Sequence, residues 1–164
     1  MSFTPSKSLE ELSKLKIIKQ FNNGHNANSV HLLEGNIIRK TYKNKKPYTQ
    51  YFNKEIKVLT HLKDCKYVSK LINYNPNNLT LYVTYCGKKP KRTYDNLKKI
   101  RKVAKKLHKN FGVVRYYNDS DPRIINKGSR VQYDIFVPNT GINEKGKITF
   151  FDFGSHNWHI IKKH

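Results

Sequence analysis

Asp152 closes the run Lys147 to Gly154, K-I-T-F-F-D-F-G, and its setting is the one in this chain most suited to chemistry. Ile148 to Phe151 reads as a short buried strand and Gly154 as the turn that ends it, so a carboxylate stands at a strand mouth beside a residue that lets the backbone turn. Such a carboxylate suits a divalent metal, since hard cations such as magnesium take oxygen ligands, commonly one or two carboxylates together with substrate phosphates. Upstream, Asn139 opens a strand, the turn from Asn143 to Gly146 folds the chain back, and the returning strand brings Asp152 to the side of Asn139. One end of the hairpin then gathers an amide oxygen and a carboxylate. Asp134 lies five positions before Asn139, across a loop stiffened by Pro138. Acids are scarce here, 11 against 33 basic residues, so two of them at these positions carry more weight than in an average chain.

The elements that must position these groups are legible in order. Ser8 with Glu11 forms a capping box, and Leu9, Leu12, Leu15 and Ile18 recur near helical spacing, which predicts a short leading helix. Ile17 to Phe21, Ser29 to Leu33 and Asn36 to Tyr42 read as strands, the first two separated by the small polar loop N-N-G-H-N-A-N-S. Lys40 follows an apolar pair on the third strand, and Arg39 takes its place if the register slips by one. Pro47 to Leu62 reads as a helix with Phe52, Ile56, Leu59 and Leu62 facing inward. Glu55 is its only acid and a natural partner for Lys40, the alternative being a surface salt bridge worth little. Leu71 to Tyr74 and Leu79 to Tyr85 are strands around the turn N-P-N-N, and K-K-P-K-R is the linker after them. Thr93 to Asn110 is the clearest helix, with Leu97, Ile100, Val103, Ala104, Leu107 and Phe111 in one apolar stripe and lysines and Arg101 over the rest. The stripe predicts a core face, and the basic residues a wet face with incidental affinity for polyanions; the alternative is a basic amphipathic helix that lies on a membrane or binds nucleic acid. Trp158, Ile160 and Ile161 are expected to pack the tail onto the body.

Asp134 and Asn139 in D-x-x-x-x-N spacing, followed by D-F-G at Asp152 to Gly154, resemble the catalytic half of the protein-kinase-like fold. The resemblance runs from about Ile17 to Gly154. It implies an α+β, two-lobed architecture in a single domain, with an antiparallel N-lobe sheet and one helix over about 16–87 and a reduced C-lobe over 88–164. It also implies the roles: Asp134 as catalytic base, Asn139 and Asp152 as metal ligands, and Lys40, positioned by Glu55, against the nucleotide phosphates. Gly24, Asn26 and Ser29 stand where the family often has three glycines over the nucleotide, and only Gly24 is kept. Tyr85, Cys86 and Gly87 would border the adenine through backbone groups. The implied cofactors are ATP and magnesium, and the implied activity is phosphotransfer to serine or threonine hydroxyls of a protein. A small-molecule kinase of the aminoglycoside or choline type is one alternative; a pseudokinase that binds nucleotide or nucleic acid is the other.

The departures have consequences of their own. Gln132 and Tyr133 replace the histidine and arginine of H-R-D, which implies activity not switched by activation-loop phosphorylation. The stretch R-Y-Y-N-D-S-D-P-R-I-I-N-K-G-S-R intervenes before the catalytic loop, and within it Asp121 and Asn126 repeat the D-x-x-x-x-N spacing. That second pair is set aside because the hairpin to Asp152 runs directly from Asn139. After Gly154 neither an A-P-E nor the helices that support a peptide substrate follow.

At 164 residues the chain is most simply one domain with room for a core. A net charge of +22 and a pI near 10.0 imply attraction to nucleic acid, acidic tails, anionic membrane or nucleotide phosphates. The excess is mostly lysine in an asparagine- and tyrosine-rich chain, a bias of AT-rich genomes that gives it the look of a viral protein. Two isolated cysteines, Cys65 and Cys86, predict neither a disulfide framework nor a zinc site, and a reducing compartment. No signal core, myristoylation glycine or membrane-length apolar run is present, so a cytoplasmic or virion location is expected. Asn78-Leu-Thr80 and Asn118-Asp-Ser120 match a glycosylation sequon that means little without export, and His156 with His159 lack a third ligand for a metal.

Overall fold

β-branched and aromatic residues concentrate in five runs through the first half of the chain, and those runs form one antiparallel sheet. The computed structural model describes residues 2–22, 26–116, 131, 133, 140–154 and 157–161. The strands are β1 (Ile17–Phe21), β2 (Ala27–Leu33), β3 (Ile37–Tyr42), β4 (Leu71–Asn75) and β5 (Thr80–Thr84), in the order β1-β2-β3-β5-β4. Helices α1 (Leu9–Ser13), α2 (Tyr48–His61) and α3 (Tyr94–Phe111) complete a mixed α+β fold with few helices. The chain divides into two units, residues up to Lys63 with Ser69–Tyr85, and Asp64–Val68 with everything from Cys86 onward.

In the first unit, strand alternation sends Ile37 and Arg39 to one face of β3 and Lys40 and Tyr42 to the other. On the Ile37 face, Leu12 of α1 joins Leu33, Ile37, Ile72 and Tyr82 in a buried cluster flanked by Leu9 and Leu15. The capping box forms as the sequence predicts: the Glu11 N–H donates to Ser8 Oγ and the Ser8 N–H to Glu11 Oε1. The helix is shorter than its leucine spacing suggests. Lys14 caps it, Leu15 lies beyond its end, and Ile18 belongs to β1 with 60% of its surface exposed. On the other face α2 buries Phe52, Val58 and Leu59, with Leu62 just past its end. Ile56, expected inward, is half-buried, and Val58 takes the inward place. The displaced register has a physical reason: the stripe is centred on Glu55, itself buried among the apolar residues.

The second unit is built around α3, whose Ile100, Val103, Ala104 and Leu107 are buried as the stripe predicts, with Leu97 and Phe111 at its margins. Gly112 ends the helix at φ +64, and a Cβ there would meet the Ile161 carbonyl oxygen at 2.6 Å, so no other residue fits without a shift. The chain continues as β6 (Val113–Arg115), which pairs antiparallel with β9 (Trp158–Ile160). Neither strand was expected from the sequence. β7 (Thr140–Ile142) and β8 (Ile148–Phe150) form the predicted hairpin, turning at Asn143, whose side-chain oxygen accepts from the Lys145 and Lys147 N–H groups. Trp158 is fully buried, as expected of the tail, against Phe150 and Phe153 at 6.2 and 4.7 Å between ring centroids. Among the described residues no helix is long and apolar enough to cross a membrane.

Candidate functional site

Lys40 sits in the middle of the sheet, opposite Val30 on β2 and Leu81 on β5, so its side chain leaves a strand held on both edges. Its Nζ donates to Glu55 Oε2 at 3.1 Å, and the two side chains keep only 13% and 3% of their surface exposed. The pair is therefore not a weak surface bridge. Arg39, the rival by register, points the other way and meets His31 across β2, with its Nη2 3.3 Å from His31 Nδ1. Burial, and then the Arg39 charge, holds the His31 imidazole below its usual pKa.

Tyr42 joins the cluster, and sequence reasoning missed it. Two residues beyond Lys40 on the same strand face, it is 1% exposed, and its hydroxyl donates to the same Glu55 oxygen. Lys40 Nζ also lies 4.5 Å from the centre of its ring. Phe52 packs edge-on against that ring at 5.9 Å, tying the phenol to α2. The signal was a tyrosine at i+2 from the lysine, legible once the lysine was placed on a strand. Chemically, the arrangement is a cation fixed by a carboxylate and a ring on a paired strand, with little reorganisation needed to meet an anionic group.

Of the loop residues, Asn26 lies in the turn before β2, its carbonyl accepting from the Lys43 N–H at 3.3 Å, and Ser29 lies within β2 opposite Thr41, where the register shifts. Gly24 lies outside the described residues. Tyr85 ends the first unit: its N–H donates to the Asn36 carbonyl at 2.8 Å and its ring stacks on Phe21 at 6.3 Å.

In the second unit, Gly87 takes φ +94 where the chain runs against β7, and Lys88 exchanges backbone hydrogen bonds with Ile142. A Cβ on Gly87 would lie 2.3 Å from the Ile142 carbonyl oxygen, so backbone packing alone requires glycine there. Asp152 is half-buried just past β8 with φ +64, in the left-handed region that only glycine, asparagine and aspartate enter at modest cost. Asn36 and Leu79 take the same backbone conformation at φ +57 and +52. The residue after Asp152, Phe153, is fully buried against Trp158, which fixes the backbone on one side of the carboxylate. Asp134 and Asn139 lie outside the described residues, as do Asp121, Asn126 and His156. Tyr133, next to Asp134, is anchored to α3: its hydroxyl is 2.7 Å from His108 Nδ1 and the rings stack at 5.9 Å. Among the described residues no group of three or more His, Cys, Asp or Glu side chains is arranged to hold a metal ion. No protein-family model matches this chain, and no curated protein matches it.

Proposed function

We propose that this chain is an ATP- and magnesium-dependent phosphotransferase of the protein-kinase-like kind, acting on serine or threonine hydroxyls. The observation that carries the reading is the Lys40–Glu55 pair: a strand lysine and the sole acid of α2, both largely withdrawn from water, joined at 3.1 Å. Charges buried in this way cost stability compared with apolar side chains of similar volume, so their presence favours a use other than holding the fold. An antiparallel sheet with one helix presenting a glutamate to a strand lysine is also what the sequence resemblance implies. In this reading Lys40 neutralises phosphate charge and Glu55 holds it in place. Asp134 orients or deprotonates the acceptor hydroxyl. Asp152, with Asn139, offers the oxygen donors magnesium prefers, the rest of the shell coming from phosphates and water. The bound ion would supply charge neutralisation on the transferring phosphoryl group. The left-handed backbone at Asp152, backed by buried Phe153, presets where that carboxylate can point.

The test is ATP turnover with and without magnesium, beside calorimetry of nucleotide binding. Turnover is expected to vanish in Asp152→Ala and to fall by a factor of about 100 or more in Asp134→Asn, as for loss of a general base. Turnover untouched by both changes refutes the assignment. A panel of basic and acidic proteins beside hydroxylated metabolites identifies the acceptor, and transfer confined to metabolites would replace the serine/threonine assignment.

A further inference from the structure

α3 turns a second, chemically distinct face to solvent. At 3.6 residues per turn, Tyr94, Lys98, Arg101, Lys102, Lys105 and Lys109 fall within an arc of about 100°, roughly opposite the buried Ile100, Val103 and Leu107. All six are exposed, Tyr94 at 78%, the most of any large apolar side chain among the described residues. Lys106, outside that arc, is engaged elsewhere: its Nζ donates to the Tyr67 hydroxyl at 2.9 Å and holds that phenol below its usual pKa. Lys105 lies with its Nζ 5.7 Å from the centre of the Tyr133 ring. The basic run continues in sequence before the helix through exposed Lys91 and Arg92.

From Lys98 to Lys109 the track is about 16 Å long, with steps of about 4.5 to 6 Å. A line of cations at that spacing matches a polymer of anions better than a single phosphate. The exposed aromatic narrows the choice further, because an unpaired base offers a face to stack on whereas a duplex keeps its base faces to itself. We propose that the outer face of α3 binds single-stranded nucleic acid, with Tyr94 stacking a base and Lys98, Lys102, Lys105 and Lys109 following the phosphates. This inference stands apart from the phosphotransferase reading and survives its failure.

The test uses the full chain and a short, fluorescently labelled single-stranded RNA without self-pairing, its affinity followed by anisotropy from about 50 to about 200 mM salt. Removing the four lysines by Lys98→Ala, Lys102→Ala, Lys105→Ala and Lys109→Ala is expected to flatten the salt dependence by about 0.7 in log–log slope per engaged lysine. A charge-matched control, Lys45→Ala, Lys46→Ala, Lys57→Ala and Lys63→Ala, leaves the slope near that of the parent. Tyr94→Ala weakens binding about tenfold with the slope unchanged, and Tyr94→Phe retains it. All substituted positions are exposed, and alanine is the best helix former, so folding is expected to persist. Should the fourfold variant unfold, Tyr94→Ala and the pair Lys98→Ala with Lys102→Ala pose the same question. Equal losses in the α3 and control sets overturn the proposal in favour of diffuse attraction. So does duplex of the same sequence binding as tightly with Tyr94→Ala inert. Displacement of the RNA by polyglutamate at equal charge would instead assign the face to an acidic polypeptide.

Discussion

Glu55 accepts from two donors on neighbouring positions of one strand, Lys40 and Tyr42, and has almost no water to fall back on. Removing one member of such a group is costly because its partners stay behind, whereas removing the whole group is not. Glu55→Ala is therefore expected to lower unfolding stability by about 3 kcal/mol. The triple change Lys40→Met, Glu55→Leu and Tyr42→Phe should be less destabilised than Glu55→Ala, because the three do not strand one another, while nucleotide turnover is lost. Urea unfolding of the two variants decides the matter; a triple variant as unstable as Glu55→Ala would make the cluster structural and remove the main support for a phosphate-binding lysine. The lysine–glutamate pairing was legible in the sequence because Glu55 is the only acid in its helix. Tyr42 was not, because a tyrosine on a strand usually reports packing, and only the placement of Lys40 gives its hydroxyl a partner. Gly87 has the opposite history, since a position singled out for nucleotide contact is already required to be glycine by the approach of Ile142.

The strands of the five-stranded sheet were readable because each runs five to seven residues, long enough for alternation and β-branched content to show. β6 and β9 have three residues each, little more than one period, and their pairing links positions more than 40 apart in sequence. Nothing local announces such a ribbon. The leading helix failed in the other direction, its leucine spacing running on past the cap at Lys14 into β1. What the short ribbon does is seat Trp158, which has no exposed surface and touches both Phe150 of β8 and Phe153 beside Asp152. Trp158→Ala is expected to cost about 3 to 5 kcal/mol, as for a large aromatic removed from a core, while Trp158→Phe costs much less. Hydrogen exchange adds the element-level readout: in Trp158→Ala the amides of β6 and β9 should lose protection before those of α3. A uniform loss across the unit would mean that the ribbon is not separately anchored by this side chain.

Charge belongs to the whole molecule. Even if each of the 11 acids were matched to one base, 22 of the 33 basic residues would have no acid to pair with, which is the net charge itself. Individual pairs such as exposed Lys14–Glu10 contribute little against that excess. Self-repulsion of a chain this positive opposes the compact state, and it is screened over about 30 Å at 0.01 M salt but about 8 Å at 0.15 M. The fold should therefore gain stability as sodium chloride rises through that range, the reverse of what a fold held by surface ion pairs would show. Each 1 kcal/mol gained would raise the melting temperature by about 2 to 4 °C in a chain of this size. Differential scanning calorimetry in sodium chloride, repeated in sodium phosphate at equal ionic strength, separates the contributions. A rise common to both salts is screening; a further rise in phosphate that saturates is an anion bound to the folded state, and one that keeps growing with concentration is exclusion of phosphate from the surface. A midpoint that stays flat or falls in sodium chloride would mean that local attractions outweigh the global repulsion, and that the lysine excess is arranged to be tolerated without a polyanion.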